Sequence, residues 1–184
     1  HFMNENVFIR SLATRGSLGG LSAKTIEVTD IMKSVGFDYI LIETVGVGQS
    51  EVEIMGLADT TVLVLVPEGG DEVQTIKSGI MEIADIFVVN KSDRDGADKF
   101  AKNIHQLLHE KPASSWLPPI IKTVATSDTG TGELIDKLIE HGKSHTCERK
   151  TYLFAEKAYR LIQNEKMKGI NKSDLLDKIK AELP

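Results

Sequence analysis

Short runs of consecutive apolar residues alternate along this chain with segments in which apolar residues recur every three or four positions. Consecutive apolar positions are typical of strands that are covered on both faces of a parallel sheet, whereas the longer period is typical of helices. The alternation therefore predicts an α/β fold with a mostly parallel sheet flanked by helices. The predicted strands are Val7–Arg10, Tyr39–Glu43, Thr61–Val66, Ile86–Asn90 and Ile120–Thr123.

Helical periods occupy the segments between these strands. The first predicted helix runs from about Leu21 to Ser34, and Gly36 supplies its stop signal. The other predicted helices of this part of the chain are Ser50–Leu57, Asp71–Ala84, Gly96–His109 and Gly132–Gly142.

The pattern changes near residue 145, after which only helical periods remain. Residues 146–184 hold nine Lys or Arg and six Asp or Glu (9 − 6 = +3), whereas residues 1–145 hold 13 and 21 (13 − 21 = −8). We therefore expect a domain over residues 1–145 and a helical extension over residues 146–184. The apolar stripes of the extension either pack back on the domain or form an interface with a second copy or a partner, and the sequence leaves both open.

Composition narrows the classes of function. The formal net charge of −5 argues against a nucleic-acid partner, and no apolar run approaches the length that spans a membrane. The single cysteine, Cys147, excludes an internal disulfide and fits a cytoplasmic location.

Glu43 ends a predicted strand and is followed at once by a glycine turn containing Gly46 and Gly48. The turn is not a phosphate loop, because Gly-x-x-x-x-Gly-Lys-Ser/Thr occurs nowhere in the chain. A carboxylate at a strand end suits Mg²⁺ beside a terminal phosphate, and Gly46 lets a backbone N–H approach a phosphate oxygen. The alternative for Glu43 is a helix-capping or ion-paired carboxylate.

Asn90-Lys91-Ser92-Asp93 directly follows another predicted strand. The Asp93 carboxylate can accept hydrogen bonds from the guanine N1–H and N2 amine together. Asn90 can bond the base edge or tie neighbouring loops, and the Lys91 stem can cover the base plane. The alternative is an ordinary polar turn that starts a helix.

Two pairs of histidines lie four residues apart in predicted helices, namely His105 with His109 and His141 with His145. That spacing can bind a metal ion, but no acidic or thiol residue converges on either pair in the sequence. We therefore expect both pairs to lie on solvated helix faces.

The sequence resembles the MeaB/ArgK family of P-loop GTPases. The resemblance is carried by Thr14–Gly20, by Phe37–Glu51 with its Glu-Thr-Val-Gly-Val-Gly-Gln-Ser-Glu string, and by Ala84–Asp93. It implies the C-terminal part of a P-loop NTPase domain, whose phosphate loop, first strand and switch I segment would precede residue 1. Without that portion, these residues alone are expected to be inactive.

The resemblance also implies roles for individual residues. Glu43 matches the Walker-B acid, and Gly46 matches the switch II glycine. Asn90, Lys91 and Asp93 match the guanine-specificity motif.

Two further loops match the family less closely. Val124-Ala125-Thr126 occupies the last guanine-binding loop, where the family usually has Ser-Ala, so the serine hydroxyl is absent. Asp71 and Lys77 match the charged positions of the loop called switch III, although Asp71 could equally be near the N-cap of a helix. No residue is identified as the catalytic base.

The function that the resemblance implies is a GTPase with GTP/GDP and Mg²⁺ as cofactors. Its partner would be a cobalamin-dependent acyl-CoA mutase, such as methylmalonyl-CoA mutase, for which it acts as a chaperone; a homodimer is expected. One alternative is a kinase/ATPase of a lysine/arginine/ornithine transport system, against which the guanine motif argues. The other is a non-enzymatic fragment that dimerises or docks through residues 146–184.

Overall fold

The computed structural model describes residues 4–13, 24–44, 57–67, 84–109, 116–144, 155, 158–159, 162–163, 165–167 and 172–182. Its elements are, in chain order, α1 (Thr25–Val35), β1 (Val62–Leu65), β2 (Ile86–Val89), α2 (Ala97–His109), β3 (Ile120–Lys122), α3 (Thr131–Ser144) and α4 (Lys172–Glu182). A short 3₁₀ turn, Ala125–Ser127, lies between β3 and α3. The predicted helices Ser50–Leu57 and Asp71–Ala84 lie outside the described residues, apart from their last positions.

The three strands form one parallel sheet in the order β1-β2-β3, so β2 is central. Val62 pairs with Ile86 and Leu65 with Val89, while Val89 also pairs with Lys122. Each strand is one or two residues shorter than its apolar run. The predicted parallel α/β sheet is therefore confirmed for these three strands.

Strand β2 is buried on both faces because its alternate side chains meet different helices. Phe87 and Val89 join the core cluster that contains Phe100, Ile104 and Leu108 of α2. Ile86 and Val88 belong to the cluster on the other face, where Leu134 and Leu138 of α3 pack. All four strand residues are 3% exposed or less, as the continuous apolar run predicts.

Glycine ends α1 at the predicted place. Gly36 has φ +93°, and its N–H donates to the carbonyl oxygen of Lys33 at 3.3 Å. The N–H of Phe37 donates to the carbonyl oxygen of Met32 at 3.5 Å, which satisfies a further free carbonyl at the helix end. The left-handed conformation favours a residue without a Cβ.

Two predicted strands do not form. Residues 7–10 and 39–43 have no strand pairing, and Leu41 is 92% exposed while Phe8 and Ile9 are each 55% exposed. A strand exists only through hydrogen bonds to a neighbour, and no described segment offers that ladder to either run. A run of apolar residues was therefore not sufficient to predict a strand at these two places.

Strand β1 departs from its prediction in one respect. Val64 is 57% exposed, so β1 is not covered on both faces by the described residues, although its run is as apolar as that of β2.

The described part of the tail is helical, as predicted. Ser173 is the second residue of α4 rather than the cap before it. The apolar residues of the tail that the structure describes remain about half exposed or more: Tyr159, Ile162, Met167, Leu175, Leu176 and Ile179. Among the described helices, none is both long and apolar enough to cross a membrane.

Candidate functional site

Two loops lie together at the carboxyl edge of the sheet. One begins at Asn90, directly after β2, and the other begins at Thr123, directly after β3. They are neighbours because β2 and β3 are parallel and adjacent, so their carboxyl ends meet at the same edge. This edge is where open α/β sheets bind ligands.

The side chain of Asn90 joins the two loops. Its Oδ1 accepts a hydrogen bond from the Thr123 hydroxyl at 3.2 Å and another from the Ala125 backbone N–H at 3.2 Å. A backbone bond reinforces the junction, because the N–H of Ser92 donates to the Thr123 carbonyl oxygen at 3.0 Å. Of the two roles that the sequence left open for Asn90, the structure shows the tie between neighbouring loops.

The first loop turns sharply after Asn90. Lys91 adopts φ +56°, a left-handed conformation that is uncommon for a residue with a Cβ. The N–H of Arg94 then donates to the Lys91 carbonyl oxygen at 3.1 Å, which closes the turn. Asp93 is exposed beyond it, whereas Asn90 and Lys91 are half-buried. The Asp93 carboxylate is therefore accessible to a ligand at the edge of the sheet.

The second loop is a closed turn. The N–H of Val124 donates to the Thr129 carbonyl oxygen at 3.0 Å, and the N–H of Thr129 returns a bond to Val124 at 3.3 Å. Between them, Ala125 and Thr126 are exposed and Val124 is half-buried. The Ala125 N–H is used by Asn90, so the backbone of this turn is held by the first loop.

Gly130 closes the second loop against β3. It has φ +78°, and a Cβ at this position would collide with the backbone carbonyl oxygen of Lys122. The role of Gly130 was not predicted from the sequence. Its signal was the Thr129-Gly130-Thr131-Gly132 pattern at the start of α3, which alone does not tell which glycine is required.

An exposed ion pair also links the two sides of the site. Lys122, at the end of β3, donates to Asp98 Oδ1 in the first turn of α2 at 2.8 Å. The hydrogen bond and the positive charge of Lys122 lower the pKa of the Asp98 carboxyl group below its usual 3.8. This pair joins residues 24 positions apart and was not predicted from the sequence.

The residues predicted for the metal ion and the phosphates are not brought to the two loops by any described contact. Glu43 is exposed in a segment without regular secondary structure. Gly46, Asp71 and Lys77 lie outside the described residues. Within the described ranges, no group of three or more His, Cys, Asp or Glu side chains could hold a metal ion.

The opposite, amino edge of the sheet carries a cluster of buried and half-buried side chains, which we call the amino-edge cluster: Thr60, Thr61, Asp85, Trp116 and His141. His141 Nδ1 lies 2.8 Å from the Thr60 hydroxyl, and its Nε2 lies 3.4 Å from Asp85 Oδ1. Asp85 also accepts the Thr61 N–H at 2.7 Å through Oδ2, and its carbonyl accepts the Trp116 indole N–H at 2.8 Å.

The prediction of a solvated face for His141 is wrong, because this residue is 1% exposed. The α3 period places it on the face that meets the sheet, where Trp116 packs edge-on at 4.9 Å between ring centroids. Its predicted partner, His145, lies outside the described residues. The solvated face predicted for His105 and His109 is confirmed.

Comparison with known proteins places the chain in a family. The model of the methylmalonyl-CoA mutase-associated GTPase MeaB family matches residues 1–183. A Pyrococcus horikoshii protein that is provisionally named a GTPase is 54% identical to this chain over 149 residues. The matched residues cover 78% of this chain and 46% of the Pyrococcus protein. The mouse mitochondrial methylmalonic aciduria type A homolog is 42% identical over 140 residues, which cover 73% of this chain and 34% of the mouse protein.

Two further similarities agree. The GTPase ArgK of Escherichia coli is 35% identical over 141 residues, which cover 74% of this chain and 43% of ArgK. A crystal structure titled LAO/AO transport system kinase superposes with a TM-score of 0.68, covering 88% of this chain and 52% of that one. At 22% identity, this structural likeness shows the fold alone.

The chain thus spans about half or less of the length of the relatives named above. The family match extends over nearly all of its residues and agrees with the parallel sheet and the loops at its carboxyl edge. This chain belongs to the MeaB family of methylmalonyl-CoA mutase-associated GTPases.

Proposed function

We propose that this chain supplies the guanine-recognition half of a GTP-binding and GTP-hydrolysing protein. The observation that carries the proposal is the Asn90 side chain, which fastens the turn after β3 to the loop after β2. These bonds hold residues 124–126 beside the loop that carries Asp93, at one edge of the sheet. Asp93 would accept from the guanine N1–H and N2 amine, Lys91 would cover the base plane, and the 124–126 turn would border the base.

GTP/GDP and Mg²⁺ are the cofactors we propose. Mg²⁺ usually takes one or two carboxylates from a protein and the rest of its ligands from phosphates and water. Glu43 is an exposed carboxylate, so it could supply one of these protein ligands. The Mg²⁺ would offset phosphate charge, while Gly46 would approach a phosphate oxygen through its backbone.

Hydrolysis needs a phosphate loop, which these residues do not contain. We infer that the proposed reaction belongs to a protein of the relatives' length, in which additional strands also cover Leu41 and Val64. In that protein, switch III, with Asp71 and Lys77, would relay the nucleotide state to a partner.

The partner we propose is a cobalamin-dependent acyl-CoA mutase, as the family description names methylmalonyl-CoA mutase. GTP binding and hydrolysis would gate the loading and protection of the mutase cofactor. We place the protein in the cytoplasm as part of the same proposal.

Base recognition is tested by replacing Asp93 with Asn in the protein extended to its relatives' length. Loss of a hydrogen-bonded charge costs about 1.5–3 kcal/mol, so GDP affinity should fall about 10- to 150-fold in calorimetry. The control is Asp95→Asn, which removes an equal charge from an exposed position two residues away. An Asn at position 93 should also favour xanthine nucleotides, because its amide can donate to the xanthine C2 carbonyl.

Two results would contradict the assignment. One is a GDP affinity that is unchanged by Asp93→Asn. The other is an equal loss in both variants, since that would show a general effect of charge on nucleotide binding. Failure of the extended protein to hydrolyse GTP would reject the catalytic part of the proposal but leave guanine binding intact.

The mutase partner needs a separate experiment. Purified mutase and the extended protein should form a complex whose stability changes between GDP and a non-hydrolysable GTP analogue. If neither nucleotide state binds the mutase, the proposed client is wrong, even where GTP hydrolysis is observed.

Homodimerisation through the tail is proposed from the exposed apolar face of α4, where Leu175, Leu176 and Ile179 lie. Ile179→Lys should shift the protein toward monomer in sedimentation, because it buries a charge in the interface. Asp177→Lys adds the same side chain on the other side of α4 and should leave the dimer intact. A wild-type protein that is monomeric at micromolar concentration would refute this part of the proposal.

A further inference from the structure

The exposed face of α2 carries two histidine side chains whose coordinating atoms converge. His105 Nε2 and His109 Nε2 are 3.2 Å apart, with ring centroids at 4.2 Å. Their positions four residues apart place them one helical turn from each other on the same face. Phe100, Ile104 and Leu108 lie on the buried face of α2, whereas His105 and His109 are exposed.

The separation of the two nitrogens matches that of neighbouring ligands on one metal ion. With Zn–N bonds of about 2.0–2.1 Å, adjacent nitrogens lie about 2.9 Å apart at a right angle and about 3.4 Å apart at the tetrahedral angle. The observed 3.2 Å falls between these values. Because α2 already holds both rings in place, binding requires little further ordering of the side chains.

We propose that His105 and His109 form a two-histidine site for a borderline transition-metal ion such as Zn²⁺, Ni²⁺ or Cu²⁺. Imidazole suits these ions, whereas Mg²⁺ and Ca²⁺ prefer oxygen ligands. No third His, Cys, Asp or Glu joins the pair among the residues that the structure describes, so water completes the coordination shell. Without metal, one Nε2–H donates to the other Nε2. On binding, the donating ring would carry its proton on Nδ1 instead, so that each ring keeps one N–H and both Nε2 lone pairs face the ion.

The site is separate from the guanine-recognition loops. His105 and His109 lie about 12 Å and 18 Å along the helix axis from Ala97, the first residue of α2. Neither histidine belongs to the contacts that hold Asn90 and the turn after β3. The proposed metal site is therefore independent of the proposed GTPase function.

Zinc titration of the whole 184-residue chain, prepared without a histidine tag, tests the site. Calorimetry should detect one zinc ion that is lost in both His105→Gln and His109→Gln. The melting temperature of the wild type should rise by about 2–4 °C at zinc concentrations several times the dissociation constant, and Mg²⁺ should have no such effect. Circular dichroism should show unchanged helix content, since both side chains are exposed.

A matched variant controls for the number of histidines. Lys102→His combined with His105→Gln keeps two histidines on the exposed face but separates positions 102 and 109 by about 10 Å along the helix axis, too far to share one ion. This variant should bind no better than His105→Gln. Zinc binding that survives His105→Gln, or that is equal in the double variant and the wild type, would overturn the site, as would absence of binding by the wild type.

Discussion

The strongest structural prediction concerns Gly130, which closes the turn after β3. Replacing Gly130 with Ala meets two separate obstacles, its φ of +78° and the backbone carbonyl oxygen of Lys122. Gly132, two residues later, lies in α3, and a Cβ added there meets nothing within 4 Å. The chain therefore offers the same substitution in two neighbouring positions with opposite expected effects.

The magnitudes follow from these surroundings. A left-handed conformation costs about 1–2 kcal/mol for an ordinary residue, and overpacking against fixed atoms costs about 1–3 kcal/mol. Gly130→Ala should therefore lower the free energy of unfolding by about 2–5 kcal/mol, which corresponds to a melting temperature lower by at least about 4 °C. Gly132→Ala should raise the free energy of unfolding by up to about 1 kcal/mol, because alanine favours the helix.

Urea unfolding of the 184-residue chain measures both effects, and GDP calorimetry on the extended protein measures their consequence for the site. Gly130→Ala should also weaken GDP binding, because residues 124–126 move when Gly130 is displaced. Equal stabilities of the two alanine variants would refute the reasoning. So would a Gly130→Ala variant within about 0.5 kcal/mol of wild type, which is the range of an unremarkable surface substitution.

Two other substitutions test contacts away from the loops. His141→Ala should lower the free energy of unfolding by about 3 kcal/mol, because it removes a buried ring and leaves Asp85 facing a cavity. His105→Ala, at an exposed position, should change the free energy of unfolding by less than about 0.5 kcal/mol. Equal losses for the two variants in urea unfolding would contradict the burial argument. Asp98→Asn should cost stability near neutral pH and nothing in strong acid. The cost depends on pH because Lys122 lowers the pKa of Asp98 in the folded protein below 3.8. The ion pair therefore stabilises the fold above pH 3.8, and this stabilisation is lost as the pH falls through the pKa of Asp98 in the folded protein. A difference between Asp98→Asn and wild type that stays constant from about pH 7 to about pH 2 would contradict the ion pair.

The central strand could be predicted from sequence because its requirements are local. Every residue of Ile86–Val89 is apolar, and both faces of the strand are buried against helices whose own periods were visible. The end of α1 at Gly36 was visible for the same kind of reason, since a left-handed residue favours glycine.

The unpaired runs show where such reasoning stops. Residues 39–42, like those of β2, are all hydrophobic, yet they form no strand among the described residues. Pairing depends on a neighbour at the correct spacing, which no property of the run itself specifies. The same limit applies to Val64, because coverage of β1 depends on elements distant in sequence.

The site could be predicted in part. Asn90 and Asp93 were identifiable because they follow a strand directly, and parallel strands bring such ends together. The bond from the Ala125 N–H to Asn90, the Lys122–Asp98 pair and the fit of Gly130 against Lys122 could not be predicted. Each depends on a distance between segments that only the folded sheet defines.

The two edges of the sheet divide recognition from stability. At the carboxyl edge, Asp93 is exposed and makes no described contribution to the core, so its replacement should weaken GDP binding at nearly constant stability. At the amino edge, His141 is buried and joins α3 to the segments before β1 and β2, so its replacement should lower stability. Because the edges are separated by the length of the strands, the intrinsic GDP affinity of folded His141→Ala protein should be close to that of wild type. A large loss of affinity in that folded variant would show that the amino-edge cluster is coupled to the guanine loops through β2.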